Sequence, residues 1–213
     1  MYVPKGRLTP EARKLMVADV ARVHEHGERR EYAQGKALAL KVRGGLDLAG
    51  VASPHVCWLL AVLSDDLGEQ EEAFRYITEA TALDPLEPGI IRSFDIITDR
   101  IRRALIDPER DLADESTPRL HGMLVQAGKA DELAHIAMGR HLAEVGKGDE
   151  ALALLDAVVL LSPGFRDGWV AKAIVAKSLG RHEEAAVAHA QTIACEGGGQ
   201  MPFLFGIASK AVA

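Results

Sequence analysis

Three short segments of the sequence each place two adjacent acidic residues behind a glycine. They read GEQEEAF at residues 68–74, GKGDEAL at 146–152 and GRHEEAA at 180–186. Adjacent carboxylates can act as general acids and bases or as ligands of a hard cation. They are also favoured in the first turn of a helix, because negative charge there interacts well with the helix dipole. Three copies spread along one chain cannot converge on one substrate, so the helix-starting role is favoured.

The histidines show no spacing typical of a metal site. His182 and His189 are seven residues apart, His135 and His141 are six apart, and no HExxH pattern occurs. Nothing supplies further ligands at the spacing that zinc sites use. The histidines therefore predict no metal and no cofactor.

Nucleophilic and phosphate-binding patterns are equally weak. The sequence has no GxSxG, and Cys57 and Cys195 form no CxxC pair. Cys57 stands where a large apolar residue is expected, which is typical of a buried cysteine. The glycines at 197–199 are not followed by the Lys and Ser/Thr of a phosphate-binding loop. No catalytic residue is predicted.

Composition predicts a globular protein of one domain with a substantial core. The chain has 213 residues, 48% of them hydrophobic and 26% charged, and a net charge of −6. The negative charge argues against a nucleic-acid partner. Two isolated cysteines indicate a reducing compartment, and no apolar run approaches the ~18 residues of a membrane span. The N-terminal residues lack the apolar core of a signal peptide, so we expect a cytoplasmic protein with no membrane insertion.

The elements that position these residues are predicted to be helices throughout. Apolar residues recur at spacings of three and four, and Thr9-Pro10, Ser53-Pro54 and Thr117-Pro118 are typical helix starts. Gly44-Gly45 is expected to end a helix. The predicted helices span 10–26, 29–43, 54–67, 70–82, 88–106, 118–128, 131–145, 148–160, 166–179, 182–195 and 202–212.

Small residues recur at matching positions of successive helix pairs. The glycines at 146 and 180 are 34 residues apart, and each unit of this length contains two predicted helices. Where the two helices should approach closely, the first carries Ala61, Gly139 or Ala173 and the second carries Ala73, Ala151 or Ala185. This pattern resembles the tetratricopeptide repeat family. The resemblance implies an all-α, right-handed superhelical array of helix-turn-helix hairpins that acts without catalysis.

The repeat boundaries predict one solenoid domain over residues 1–213. Its predicted parts are a degenerate hairpin at 9–45, repeats at 54–87, 132–165 and 166–199, a degenerate repeat with a surface insertion at 88–131, and a cap or tail at 200–213. The apolar tail is expected to form a capping helix over the last repeat. Two alternatives place it in the groove of its own chain, or in that of a neighbour as the link of a homo-oligomer.

The resemblance also implies where a partner would bind, because in this family the first helix of each hairpin lines a concave groove. Its residues here are Trp58, Val62, Ile136, Arg140, Val170, Ile174 and Lys177. Trp58 is the candidate anchor, and Arg140 and Lys177 would orient an acidic group of the partner. The groove positions contain no Asn, which disfavours a C-terminal carboxylate as the ligand. An amphipathic helix or an extended apolar peptide fits better.

The function predicted from these features is a non-enzymatic adaptor or scaffold for protein–protein interaction. The alternative is a secretion- or assembly-type chaperone that holds a client and self-associates through its apolar tail. An enzyme has the least support, because it needs polar groups that converge in the groove.

Overall fold

The computed structural model describes residues 9–195, and this part of the chain is all-helical, as predicted. Its ten helices are α1 (Pro10–Glu28), α2 (Tyr32–Leu48), α3 (Pro54–Asp66), α4 (Gln70–Leu83), α5 (Pro88–Leu105), α6 (Thr117–Gln126), α7 (Glu132–Glu144), α8 (Gly148–Leu161), α9 (Arg166–Ser178) and α10 (His182–Ala194). The predicted cap or tail at 200–213 lies outside the described residues.

Two of the three predicted helix starts are confirmed by capping hydrogen bonds, whereas α6 begins at Thr117 itself with Ser116 at the cap position and no side-chain capping bond. Thr9 accepts a hydrogen bond from the backbone N–H of Ala12 at 3.2 Å, and Ser53 accepts one from that of Val56 at 3.3 Å. Each cap is followed by proline at the first helical position, where its missing N–H costs nothing. Local sequence therefore fixes where α1 and α3 begin.

The prediction that Gly44-Gly45 ends a helix is wrong. α2 continues to Leu48, and the turn follows at Gly50, whose φ is 65°. Leu46 is buried, so continuing the helix adds an apolar contact that outweighs the ~1 kcal/mol that a helical glycine typically costs.

The glycine of each acidic segment ends one helix and the carboxylates begin the next. Gly68, Gly146 and Gly180 have φ values of 76°, 81° and 72°. The N–H of Gly146 donates to the carbonyl of Ala143 at 3.2 Å. The N–H of the next residue, Lys147, donates to the carbonyl of Leu142 at 2.8 Å. These two bonds form a Schellman motif, which favours glycine because of its left-handed backbone. The acidic pairs occupy the first turns of α4, α8 and α10.

Helix pairs α3–α4, α7–α8 and α9–α10 pack against each other as hairpins. Ala61 and Ala73 are fully buried between α3 and α4. A Cβ on Gly139 of α7 would lie only 3.1 Å from Cγ of Leu155 in α8, so this position requires a glycine or a shift of the leucine. Small residues therefore allow the close approach within the α3–α4 and α7–α8 hairpins, as the repeat pattern predicts.

The third hairpin carries a lysine at an otherwise apolar position. Lys172 of α9 pairs with Asp156 of α8 at 2.5 Å and with Glu184 of α10 at 3.4 Å. Its side chain is mostly buried, and the two carboxylates raise its pKa although desolvation opposes them. The ammonium therefore links α9 to the helices on both sides.

The chain divides into two compact units, residues 1–99 and 100–213, and the boundary falls within α5. In the described chain, the first unit contains α1 to α4 with most of α5, and the second contains the end of α5 with α6 to α10. A single solenoid domain stays a prediction.

Candidate functional site

A cleft in the second unit lies between α7 and α9, the first helices of two hairpins. Its volume is about 230 Å³. The lining residues are Leu112, Arg140, Ala143, Glu144, Ala171, Ile174, Val175 and Ser178. The walls are mainly apolar, and the polar groups are one guanidinium, one carboxylate and one hydroxyl.

Both helices that form the cleft are held in place by contacts with neighbouring elements. Asp131 caps α7 by accepting a hydrogen bond from the N–H of Ala134 at 3.0 Å, and it pairs with Arg102 at 2.6 Å. Gly168 lets α9 approach α8 closely, since a Cβ there would lie 3.2 Å from Cγ1 of both Val158 and Val159. The cleft is therefore built on rigid elements.

The connection between α5 and α6 supplies the remaining wall. Arg110 pins this connection internally by donating to the carbonyl of Ala104 at 3.0 Å and to the hydroxyl of Thr117 at 3.2 Å. His141 of α7 then donates from Nδ1 to the carbonyl of Leu112 at 2.8 Å, which brings the leucine side chain into the cleft wall. This turn-rich connection was expected only as a surface insertion, so sequence reasoning missed Leu112.

Arg140 is the main polar group of the cleft. Only 9% of the residue is exposed, and it also lines a smaller cavity under the α5–α6 connection. Burial lowers the pKa of its guanidinium to about 10. It stays protonated at neutral pH, and a charge in such a poorly hydrated place interacts strongly with an acidic group.

The five predicted groove residues of the second unit differ in burial, and only two of them line the cleft. Arg140 and Ile174 line the cleft, with Ile174 43% exposed. Val170 is half-buried and Lys177 is exposed, one turn before and one turn after Ile174 on α9.

The prediction that Ile136 is exposed in the groove is wrong. Ile136 has no exposed surface and belongs to the core cluster that contains Leu155 and Ala171. Helical spacing alone placed it on the groove face. Its burial depends on how the neighbouring helices pack, which a repeat pattern does not specify.

The two predicted groove residues of the first unit lie on α3. Trp58 and Val62 are both half-buried. The indole Nε1 of Trp58 donates to the hydroxyl of Ser93 on α5 at 2.8 Å, so the polar edge of the ring is used inside the unit. The ring face is next to His55, with centroids 5.3 Å apart.

The placement and burial of the remaining reactive groups of the described chain bear on metal binding and on thiol reactivity. Among residues 9–195 no three His, Cys, Asp or Glu side chains are grouped so that they could hold a metal ion. Burial raises the pKa of the Cys57 thiol to about 11, which keeps it protonated and unreactive at neutral pH. None of the described helices combines the length and apolar character needed to cross a membrane.

The α7–α8 and α9–α10 hairpins begin 34 residues apart, and together with the glycine turns they give the described chain an all-α fold of the tetratricopeptide-repeat type. No family model matches the sequence, and no curated protein matches it either. Several solved structures are similar to this chain in fold. MamA AMB-1 is 17% identical, with 93% of this chain and 97% of that chain covered and a TM-score of 0.43.

Two further structures show comparable similarity. The TPR2AB domain of yeast Sti1, in its complex with pHSP90, is 12% identical with a TM-score of 0.41, and 85% of this chain and 78% of that chain are covered. MamA 41-end from Desulfovibrio magneticus RS-1 is 13% identical with a TM-score of 0.38, and 89% and 97% are covered.

Proposed function

We propose that this protein is a non-enzymatic scaffold that binds another protein through the α7–α9 cleft. The observation that carries the proposal is an apolar cleft with one buried, charged arginine on a rigid helical frame. Buried apolar pockets with an arginine are typical of the central part of protein interfaces.

The size of the cleft favours a side chain of a partner over a free small molecule. Its volume of about 230 Å³ is below the roughly 300–1,000 Å³ of typical small-molecule sites. An apolar side chain would pack against Leu112 and Ile174, and a neighbouring carboxylate would pair with Arg140. The partner is therefore an apolar peptide or amphipathic helix that carries an acidic residue beside its anchor.

Selection of random peptides displayed on phage tests this proposal. We expect enriched peptides to share a large apolar residue with Asp or Glu close to it in sequence or one helical turn away. Ile174→Glu is expected to weaken binding of the selected peptide at least about tenfold, because it puts a like charge beside the acidic residue of the peptide and removes apolar contact. Arg140→Gln should weaken acidic peptides more than matched peptides with Gln for Glu.

Val187→Glu is the matched control, because Val187 is 62% exposed on α10 and does not line the cleft. It should bind the selected peptide as the parent chain does. Equal loss with Val187→Glu and Ile174→Glu, or peptides that ignore both cleft variants, would place the binding surface elsewhere.

A further inference from the structure

Two histidines on different helices of the first unit bring their ring nitrogens together at the surface. His24 lies on α1 and His55 on α3, and their Nε2 atoms are 3.3 Å apart. The ring centroids are 5.4 Å apart, and both residues are exposed. The two residues are 31 positions apart in sequence, so no local motif reveals the pair.

The distance between the two nitrogens suits a shared metal ion. Zinc binds imidazole nitrogen at about 2.0–2.1 Å, and a tetrahedral angle then separates two such nitrogens by about 3.3–3.4 Å. Two neutral imidazoles can also share one hydrogen bond, but that requires one ring to keep its proton on Nε2. The exposed position leaves room for water on the remaining sides of an ion.

We propose that His24 and His55 form a surface site for an imidazole-preferring divalent transition-metal ion such as Zn²⁺. The two Nε2 atoms bind the ion and water completes its coordination. This site is independent of the α7–α9 cleft, which lies in the other unit.

The surroundings of the pair favour a bound cation. The carboxylate of Glu87 interacts electrostatically with His55, so negative charge lies near the site. That charge would attract a divalent ion.

A second histidine pair, His121 and His135, has a geometry that fits a direct hydrogen bond and not a shared metal ion. Nε2 of His121 and Nδ1 of His135 are 2.9 Å apart, which is an ordinary hydrogen-bond distance and shorter than a tetrahedral ion allows. Both rings are half-buried. This pair serves as the internal control.

Isothermal titration of the untagged chain with Zn²⁺ is the first test. We expect one ion per chain, and at least about a tenfold loss of affinity in His24→Ala and in His55→Ala, since each removes one of two protein ligands. His121→Gln should bind Zn²⁺ as the parent does. Far-UV circular dichroism of each variant checks that the fold is retained, as the exposure of His24 and His55 predicts.

Fluorescence gives an independent readout, because Trp58 is beside His55. In a Trp169→Phe background, we expect Cu²⁺ to quench the fluorescence of Trp58 and a chelator to restore it. The quenching should be far weaker when His24→Ala is added. Absence of binding heat with Zn²⁺, or affinity unchanged in both histidine variants, would overturn the proposal.

Discussion

Asp167 is a buried carboxylate whose charge is poorly compensated. It is the second residue of α9, only 6% exposed, and its Oδ1 has no hydrogen-bond partner. Burial raises the pKa of the carboxyl group, and the nearby Arg166 only partly opposes this. The helix N-terminus favours a negative charge here, but the raised pKa means that desolvation outweighs this effect.

Asp167→Asn is expected to raise the free energy of unfolding by about 1 kcal/mol at neutral pH, because the amide keeps the shape and removes the buried charge. The native state binds the proton more tightly than the unfolded chain, since its pKa is the higher one. The penalty of ionisation is therefore absent below the unfolded pKa and fully present above the folded pKa. The gain from the substitution should shrink as the pH falls through the folded pKa.

Urea unfolding at neutral and at acidic pH measures this difference. Glu183→Gln is the control, since Glu183 is also acidic and in a first helical turn but is exposed. It should change stability by less than about 0.5 kcal/mol. A gain that is equal at both pH values would contradict the assignment to ionisation.

At the scale of helices, the turn between α1 and α2 departs from the others. Arg30 has a φ of 59° and is the one non-glycine residue of the described chain with a left-handed backbone. The N–H of Glu31 donates to the carbonyl of His26 at 2.8 Å, which matches the bond that follows the glycine turns. Arg30 therefore occupies the glycine position of a Schellman motif.

Arg30→Gly is expected to stabilise the protein by about 0.5–1 kcal/mol, because the relief of left-handed strain exceeds the extra entropy of glycine in the unfolded chain. The midpoint of urea unfolding measures this effect. Arg29→Gly provides the control, since Arg29 has a φ of −81° and gains no relief. It should destabilise, and so should Gly146→Ala, which puts a Cβ on a left-handed residue. A loss of stability in Arg30→Gly would show that the side chain contributes more than the strain costs.

The helices were predictable because their signals are local. Prolines, capping residues and turn glycines act on their own few neighbours, so the starts of α1 and α3 and the turn at Gly68 follow from sequence. The predicted helix end at Gly44-Gly45 was wrong, because the burial of Leu46 in the tertiary structure outweighs the local preference of the glycines. The α7–α9 cleft was predictable only in part. Arg140 and Ile174 follow from the repeat, whereas Leu112 depends on a non-periodic connection held by its own polar contacts.

At the scale of the whole molecule, the two compact units share one continuous helix. α5 spans the boundary between residues 99 and 100 and carries buried residues on both sides, Ile97 before it and Ile101 after it. Melting α5 would therefore expose buried apolar side chains on both sides of the boundary.

The two tryptophans allow a test, because Trp58 is in the first unit and Trp169 is in the second. In Trp169→Phe the fluorescence reports the first unit, and in Trp58→Phe it reports the second. Because α5 is one continuous helix with buried residues on both sides of the boundary, we expect the fluorescence transition in urea to superimpose on the circular dichroism transition within each variant. The two transitions are compared within one variant, because Trp58→Phe also removes the hydrogen bond to Ser93. This loss should lower the urea midpoints of its fluorescence and circular dichroism transitions equally. A fluorescence midpoint that differs from the circular dichroism midpoint in either variant would contradict this expectation. It would mean that the two units unfold separately and that α5 frays at the boundary before either core is lost.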